Sequence, residues 1–464
     1  MNRYLCAGLL VLLGETAVWA QSAPFRVYTQ PPVPSSGSLA KLDLVLGWRT
    51  FVPMGGRHDG IYTAQVTQPD GRQVLIQARS GAIFALDAET GFIQWRAHLP
   101  NLYATALPLG YNTKFVFAVT GANLTAFNRV TGALEWEVMM PGGATAAPVA
   151  DEERVYLTMG SGRMAAYLIP RPPPIVAAKP APPPAPASNR PLIDPNKYLL
   201  QDETLPTLGM DSADMRRLIF GDPFSRGGTM FGGRKVNFNR IWEYSAESRL
   251  EMTPLLTPEF VLLGGYTGTV YALNKFDGRA LYRFAAGPPV TAQLGQYDLY
   301  AYIASQDFTI YALDILPGRT LWRFAGGGPI VAKPAVNDEN VYVTPEGVGL
   351  YKIGRERGET IWRNTRAERF VSANRRFVYA LDRLGRLLVL DTETGNELGT
   401  WEGARNFVFP IANEFTDRLY LSSNDGLVVS LHDRHDVKPL VMKKPPAPPS
   451  AAVQKRMAEE EVDF

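Results

Sequence analysis

With 464 residues, 46% of them hydrophobic and 20% charged, the chain is too long for one ordinary compact core and too apolar for disorder. It therefore needs either several domains or a repeat architecture. A formal net charge of +2 leaves no basic domain to neutralise phosphates, which argues against a nucleic-acid partner.

In chain order, the basic Arg3, the apolar stretch from Tyr4 to Gly14 and the Val18-Trp19-Ala20 end read as a secretory signal peptide over residues 1–20. The apolar run is short of the roughly 20 residues that span a bilayer, so export to the periplasm or cell envelope is expected, with no transmembrane segment in the mature chain. The single cysteine, Cys6, lies inside this segment, not at its end, where a lipid would be attached. The remainder then has no cysteine for a disulfide, a zinc thiolate site or a thiolate nucleophile. Residues 21–43 form an N-terminal extension.

From 44 to 435 a period near 40 residues takes over. Ala85-Leu86-Asp87 is followed by Gly91 and Trp95, and the same spacing returns as Ala126-Phe127-Asn128 with Gly132 and Trp136. It returns again as Ala272-Leu273-Asn274 with Gly278 and Tyr282, and as Ala312-Leu313-Asp314 with Gly318 and Trp322. Two looser copies follow, Ile353-Gly354 with Gly358 and Trp362, and Leu390-Asp391 with Gly395 and Trp401 two residues late. Short alternating β-branched and aromatic stretches joined by Gly-containing turns at this period predict four-stranded propeller blades, not helical repeats. Within each copy the Asp or Asn closes a turn and the Gly supplies positive φ. The small Ala leaves room for the ring, whose burial is worth at most about 4–6 kcal/mol per blade.

Trp48 completes the series. The last copy, Gly426 to His432, has no tryptophan after it, so the strand around Trp48 is expected to finish that blade and close the ring. Aromatic slots at Trp48, Trp95, Trp136, Trp242, Tyr282, Trp322, Trp362 and Trp401 then give an all-β, eight-bladed propeller with four-stranded antiparallel blades. A seven-bladed ring, with Val437 to Leu440 finishing its own blade, is the alternative. Between Leu168 and Arg240 lies an insertion over 170–239, rich in proline at Pro172-Pro173-Pro174 and Pro182-Pro183-Pro184, with a short helix expected at 211–220. The tail over 443–464, with Pro445, Pro446, Pro448 and Pro449 and then charged residues, reads as disordered.

The Ala-Leu-Asp-x-x-x-Gly-x-x-x-Trp pattern at 85–95 and 312–322 resembles the tryptophan-docking motif of pyrroloquinoline-quinone enzymes and their relatives. The resemblance covers about residues 44–435 apart from the insertion. It implies the eight-bladed fold and leaves function open between quinoprotein alcohol dehydrogenases and the periplasmic outer-membrane assembly factor BamB. The chain looks more like the assembly-factor branch. It lacks the adjacent cysteine pair and the Glu, Asn and Asp calcium ligands that the dehydrogenase resemblance would imply.

The remaining chemical motifs are weak. His432-Asp433-Arg434-His435-Asp436 has metal-ligand composition but reads better as a polar turn. Gly227 to Lys235 superficially resembles a phosphate loop without its Gly-Lys-Ser/Thr ending, and reads as a flexible loop. His58 and His98 stand alone, and Asp87, Asp314 and Asp391 recur at one repeat position as turn closers. The sequence thus predicts a non-catalytic scaffold without cofactor or metal, monomeric on its own, that binds envelope proteins through its faces and the insertion. A quinoprotein oxidoreductase or small-ligand propeller is the alternative.

Overall fold

The computed structural model describes residues 33–55, 59–99, 107–170, 227–229, 235–287, 289–290, 292–407 and 409–444. The expected signal peptide, the helix at 211–220, His58 and residues 445–464 lie outside them. Eight four-stranded antiparallel sheets and one two-stranded hairpin account for the strands.

Blade 1 comprises Ile61–Val66, Gln73–Ala78, Ala82–Asp87 and Ile93–His98, and blades 2 to 7 repeat the same strand order outward. First strands of neighbouring blades approach one another, as Gly110–Tyr111 does Val149–Ala150 and Gly295–Tyr297 does Ala335–Val336, so they line the axis while fourth strands form the rim. Middle strands are sandwiched between neighbouring sheets, which is why Gln73–Ala78 is buried at every position, whereas the rim strand Ile93–His98 buries its ring and exposes most of the rest.

Blade 8 is built from both ends of the ring. Its strands Phe409–Ile411, Leu419–Ser422 and Leu427–Asp433 are completed by Leu44–Phe51, which pairs antiparallel from Leu44 opposite Asp433 to Phe51 opposite Leu427. This excludes the seven-bladed alternative. Val437 to Leu440 leave the blade and cross the end of the propeller, because the edge they would have joined is already filled by the N-terminal strand.

Turns between strands 1 and 2 and between 3 and 4 lie on one end of the propeller, the turn face. The 2–3 turns and the links between blades lie on the other, the crossover face. The insertion interrupts the 3–4 turn of blade 3, between Arg163–Leu168 and Arg240–Ser245, and so leaves from the turn face. The glycine-rich stretch inside it is not a plain loop: Gly227–Thr229 pairs antiparallel with Lys235–Asn237, and the first of these strands lies beside the rim strand Leu134–Met139 of blade 2.

Candidate functional site: blade clasps and a capped channel

The repeat residues meet across blade boundaries. Asp87 Oδ1 accepts from Thr90 N–H at 2.8 Å and Thr90 Oγ1 at 2.9 Å, tightening the turn that ends at Gly91. Asp391 is held the same way, and the Thr394 N–H and hydroxyl keep its carboxyl below the ordinary Asp range. Asn128, Asn274 and Asp314 accept from backbone N–H groups two residues on. These carboxylates and amides are spent on turns.

Each turn receives a ring from the preceding blade. Trp95 lies on Gly132, whose φ of +70° is open to glycine and where an added Cβ would fall 2.6 Å from the indole. Its Nε1 donates to Arg129 O at 2.7 Å. Trp48 meets Gly91, Trp242 Gly278, Tyr282 Gly318, Trp322 Gly358 and Trp362 Gly395 in the same way. Their polar atoms donate to the carbonyls of Ala88, Lys275, Ile315, Arg355 and Thr392. A second, charged clasp accompanies some of these contacts: Arg129 reaches Asp70 of blade 1 at 2.6 Å and Lys275 reaches Asp151 of blade 3 at 3.2 Å.

Two clasps depart from the pattern for visible reasons. Trp136 faces the blade whose turn is replaced by the insertion, so Phe238 takes the glycine's place, 6.1 Å from the indole and stacked on Tyr167 at 4.3 Å. In blade 7 the register sets Gly399 opposite Val389 and Trp401 opposite Leu387, which puts Gly399 in the ring slot and Trp401 two residues beyond on the same face. A Cβ on Gly399 would meet Leu42, so the N-terminal extension fills the vacated space, with Leu39 of the helix Ser36–Ala40 buried in the same core. Neither Phe238 nor Leu42 carries a repeat signal in sequence.

The axis is closed on the turn face. The 412–418 loop of blade 8 reaches the first strands of the next blade and of the one beyond it: Asn413 N–H donates to Val371 O of blade 7 at 2.8 Å, and Glu414 Oε2 accepts from Val336 N–H of blade 6 at 2.9 Å. Strands of non-adjacent blades can share one side chain only across the axis, so this loop fills the channel mouth. The chain after blade 8 then lies over the loop. Leu440 and Asp417 exchange backbone and carboxylate hydrogen bonds, Met442 N–H donates to Phe415 O at 2.7 Å, and Lys444 N–H donates to Asp338 Oδ1 at 2.8 Å.

Glu414 ties the cap together. Its Oε1 lies 3.2 Å from Lys333 Nζ and 3.0 Å from Lys443 Nζ, and Lys443 Nζ also donates to Gln296 O at 2.5 Å. Burial pushes the Glu414 carboxyl up, but Lys333, Lys443 and the Val336 N–H outweigh it and hold it below the ordinary Glu range. Burial lowers Lys443, with Glu414 opposing. Lys443, where the sequence reading begins its tail, is thus a buried member of the cap.

The other sequence candidates are accounted for locally. Asp433 is buried against Arg376 at 2.6 Å and Asn374 at 3.0 Å, and the His432 and His98 rings each lie on a neighbouring backbone carbonyl. Among the described residues no group of three His, Cys, Asp or Glu is placed to hold a metal. On the crossover face a recess of about 460 Å³ opens between blades 4 and 5, lined by Met252, Tyr266, Pro289, Gln293, Gln306 and Val331.

The family described as outer membrane protein assembly factor BamB matches residues 79–169 and 306–432. BamB of Bordetella pertussis is 25% identical over a match covering 58% of this chain and 77% of that protein. The crystal structure of BamB from Moraxella catarrhalis superposes with a TM-score of 0.57 at 16% identity, covering 84% of this chain and 98% of that one. This PQQ-like repeat propeller resembles BamB. The computationally designed Ika8 protein superposes with a TM-score of 0.52 at 14% identity, covering 83% of this chain and all of its own, so the ring alone carries no function. BamB-like character rests on the sequence match, which runs through blade 1 to blade 3 and blade 5 to blade 8.

Proposed function

We propose that this chain is an exported, non-catalytic, BamB-like scaffold that acts in the cell envelope by binding proteins engaged in outer-membrane protein assembly. The observation that carries it is the closed ring with its capped channel: repeat carboxylates are spent on turns, and the 412–418 loop and 437–444 segment occupy the mouth on the turn face. What remains available is surface. The strand Gly227–Thr229 of the insertion lies beside blade 2, and the opposite face offers the recess around Tyr266, which is 60% exposed. Loop clefts of this kind suit peptide recognition.

Cells lacking the protein are expected to contain less folded outer-membrane β-barrel protein, read as loss of the heat-modifiable form on gels, and to recover it with the full chain. A variant lacking 171–226 should restore less. Unchanged barrel folding in the deletion strain would remove the assembly role.

The oxidoreductase alternative makes the opposite demand. A quinone bound at 100 times its dissociation constant would add about 2.7 kcal/mol to stability. Pyrroloquinoline quinone with calcium is expected to leave the melting midpoint unchanged, and a saturable rise would favour that alternative.

A further inference from the structure

The clasp between blades 2 and 3 leaves hydrogen-bonding groups unused. Trp136 stands opposite Ala126 as Trp95 stands opposite Ala85, in the same register. Its Nε1–H nevertheless has no acceptor among the described residues, and the hydroxyl of Tyr167 has no partner there either. Both side chains are almost wholly buried, 2% and 3% exposed. The cause lies in the turn. Leu168 N–H donates to Asn239 O at 3.0 Å as Asn128 N–H donates to Ala133 O at 2.8 Å, which sets Phe238 in the position of Gly132. A glycine lets the main chain close on the indole and bring a carbonyl to its N–H. The phenyl ring of Phe238 holds the main chain off, so no carbonyl arrives.

The slot that Phe238 fills is chemically selective. Its ring stacks on Tyr167 at 4.3 Å with the planes 7° apart and lies 6.1 Å from the indole, so a compact ring fits there. It supplies no acceptor, and a buried donor left unpaired is costly. Burial holds the Tyr167 hydroxyl above the ordinary Tyr range, which keeps it protonated and able to donate. A better occupant combines a compact ring with adjacent carbonyls. A polyproline II segment does so: its backbone makes no internal hydrogen bonds, its carbonyls are all free, and aromatic-lined grooves are its usual receptors. Phe238 is only partly buried and stands just before the rim strand Arg240–Ser245, so the slot opens outward when its ring turns away.

We propose that this slot binds a proline-rich segment of a partner protein. A proline ring replaces the Phe238 ring on Tyr167, and main-chain carbonyls of the segment accept from Trp136 Nε1 and the Tyr167 hydroxyl. Phe238 is the displaceable plug that keeps the slot filled when no partner is bound.

Nuclear magnetic resonance of the full chain, isotope-labelled at the tryptophan ring nitrogens, tests this, with the Trp136 signal assigned through Trp136→Phe. An oligoproline peptide is expected to shift the Trp136 indole N–H saturably while the Trp95 and Trp242 signals stay in place. Phe238→Ala removes the competing plug and should lower the half-saturating concentration about tenfold. Tyr167→Phe keeps the ring and loses one donor, so it should weaken binding without moving the unbound Trp95 and Trp242 signals. No shift of Trp136 in either the parent or Phe238→Ala would overturn the proposal, as would an equal shift with a Gly-Ser peptide of the same length. A shift confined to Phe238→Ala would also count against it, because Phe238 would then be a fixed part of the wall. Tighter binding on removal of 171–226 would assign the slot to the chain's own prolines instead of a partner's.

Discussion

Replacing Trp95 with Ala is expected to destabilise the propeller by about 3–5 kcal/mol, the usual cost of truncating a buried aromatic to Ala. The indole is 6% exposed, it fills the space above Gly132, and its N–H satisfies the carbonyl of Arg129 in the next blade. Losing it leaves a cavity and an unpaired acceptor at a boundary between sheets. Denaturant unfolding followed by fluorescence measures the loss as a lower midpoint. Tyr282→Phe provides the internal comparison: it keeps the ring on Gly318 and removes only the hydroxyl bond to Ile315 O, for about 0.5–1.5 kcal/mol. Equal effects from the two substitutions would mean that ring packing is not what joins the blades.

Glu414→Gln is expected to be as damaging, about 3–5 kcal/mol, because it leaves Lys443 buried without its carboxylate. The effect has a pH signature. Glu414 is held below its ordinary value, so the unfolded chain binds its proton more readily and the group adds stability above the unfolded value, near 4.3. That stability is lost as pH falls through the lower, folded value. Unfolding midpoints measured from pH 7 down to pH 3 are expected to fall more steeply in the parent than in Glu414→Gln at the acid end. Parallel curves would show that the carboxylate does not hold the cap.

The ring was legible in sequence because every repeat carries both halves of the clasp: Asp87, Gly91 and Trp95 sit within nine residues, and copies about 40 apart let the ring of one blade meet the turn of the next. Ring closure by Leu44–Phe51 was legible too, since the last blade lacked a tryptophan that Trp48 could supply. The cap was not. Lys333, Glu414 and Lys443 stand 81 and 29 residues apart, in segments outside the repeat, and meet only because the ring brings non-adjacent blades to one axis. Val437 to Leu440 look like strand residues in isolation, but tertiary competition for the edge of blade 8 sends them across the channel. Gly399 and Leu42 illustrate the same limit: a ring slot can be filled from another part of the chain, which periodicity does not register.

Native-state hydrogen exchange measures the closed, capped ring most directly. The amides of Leu44–Phe51 are expected to exchange as slowly as those of their partners Leu427–Asp433, and the amides of Leu440 and Met442 are expected to be protected with them. Exchange of 44–51 within seconds while the other blades stay protected would contradict closure by the N-terminal strand, and with it the rigid scaffold on which the functional reading depends.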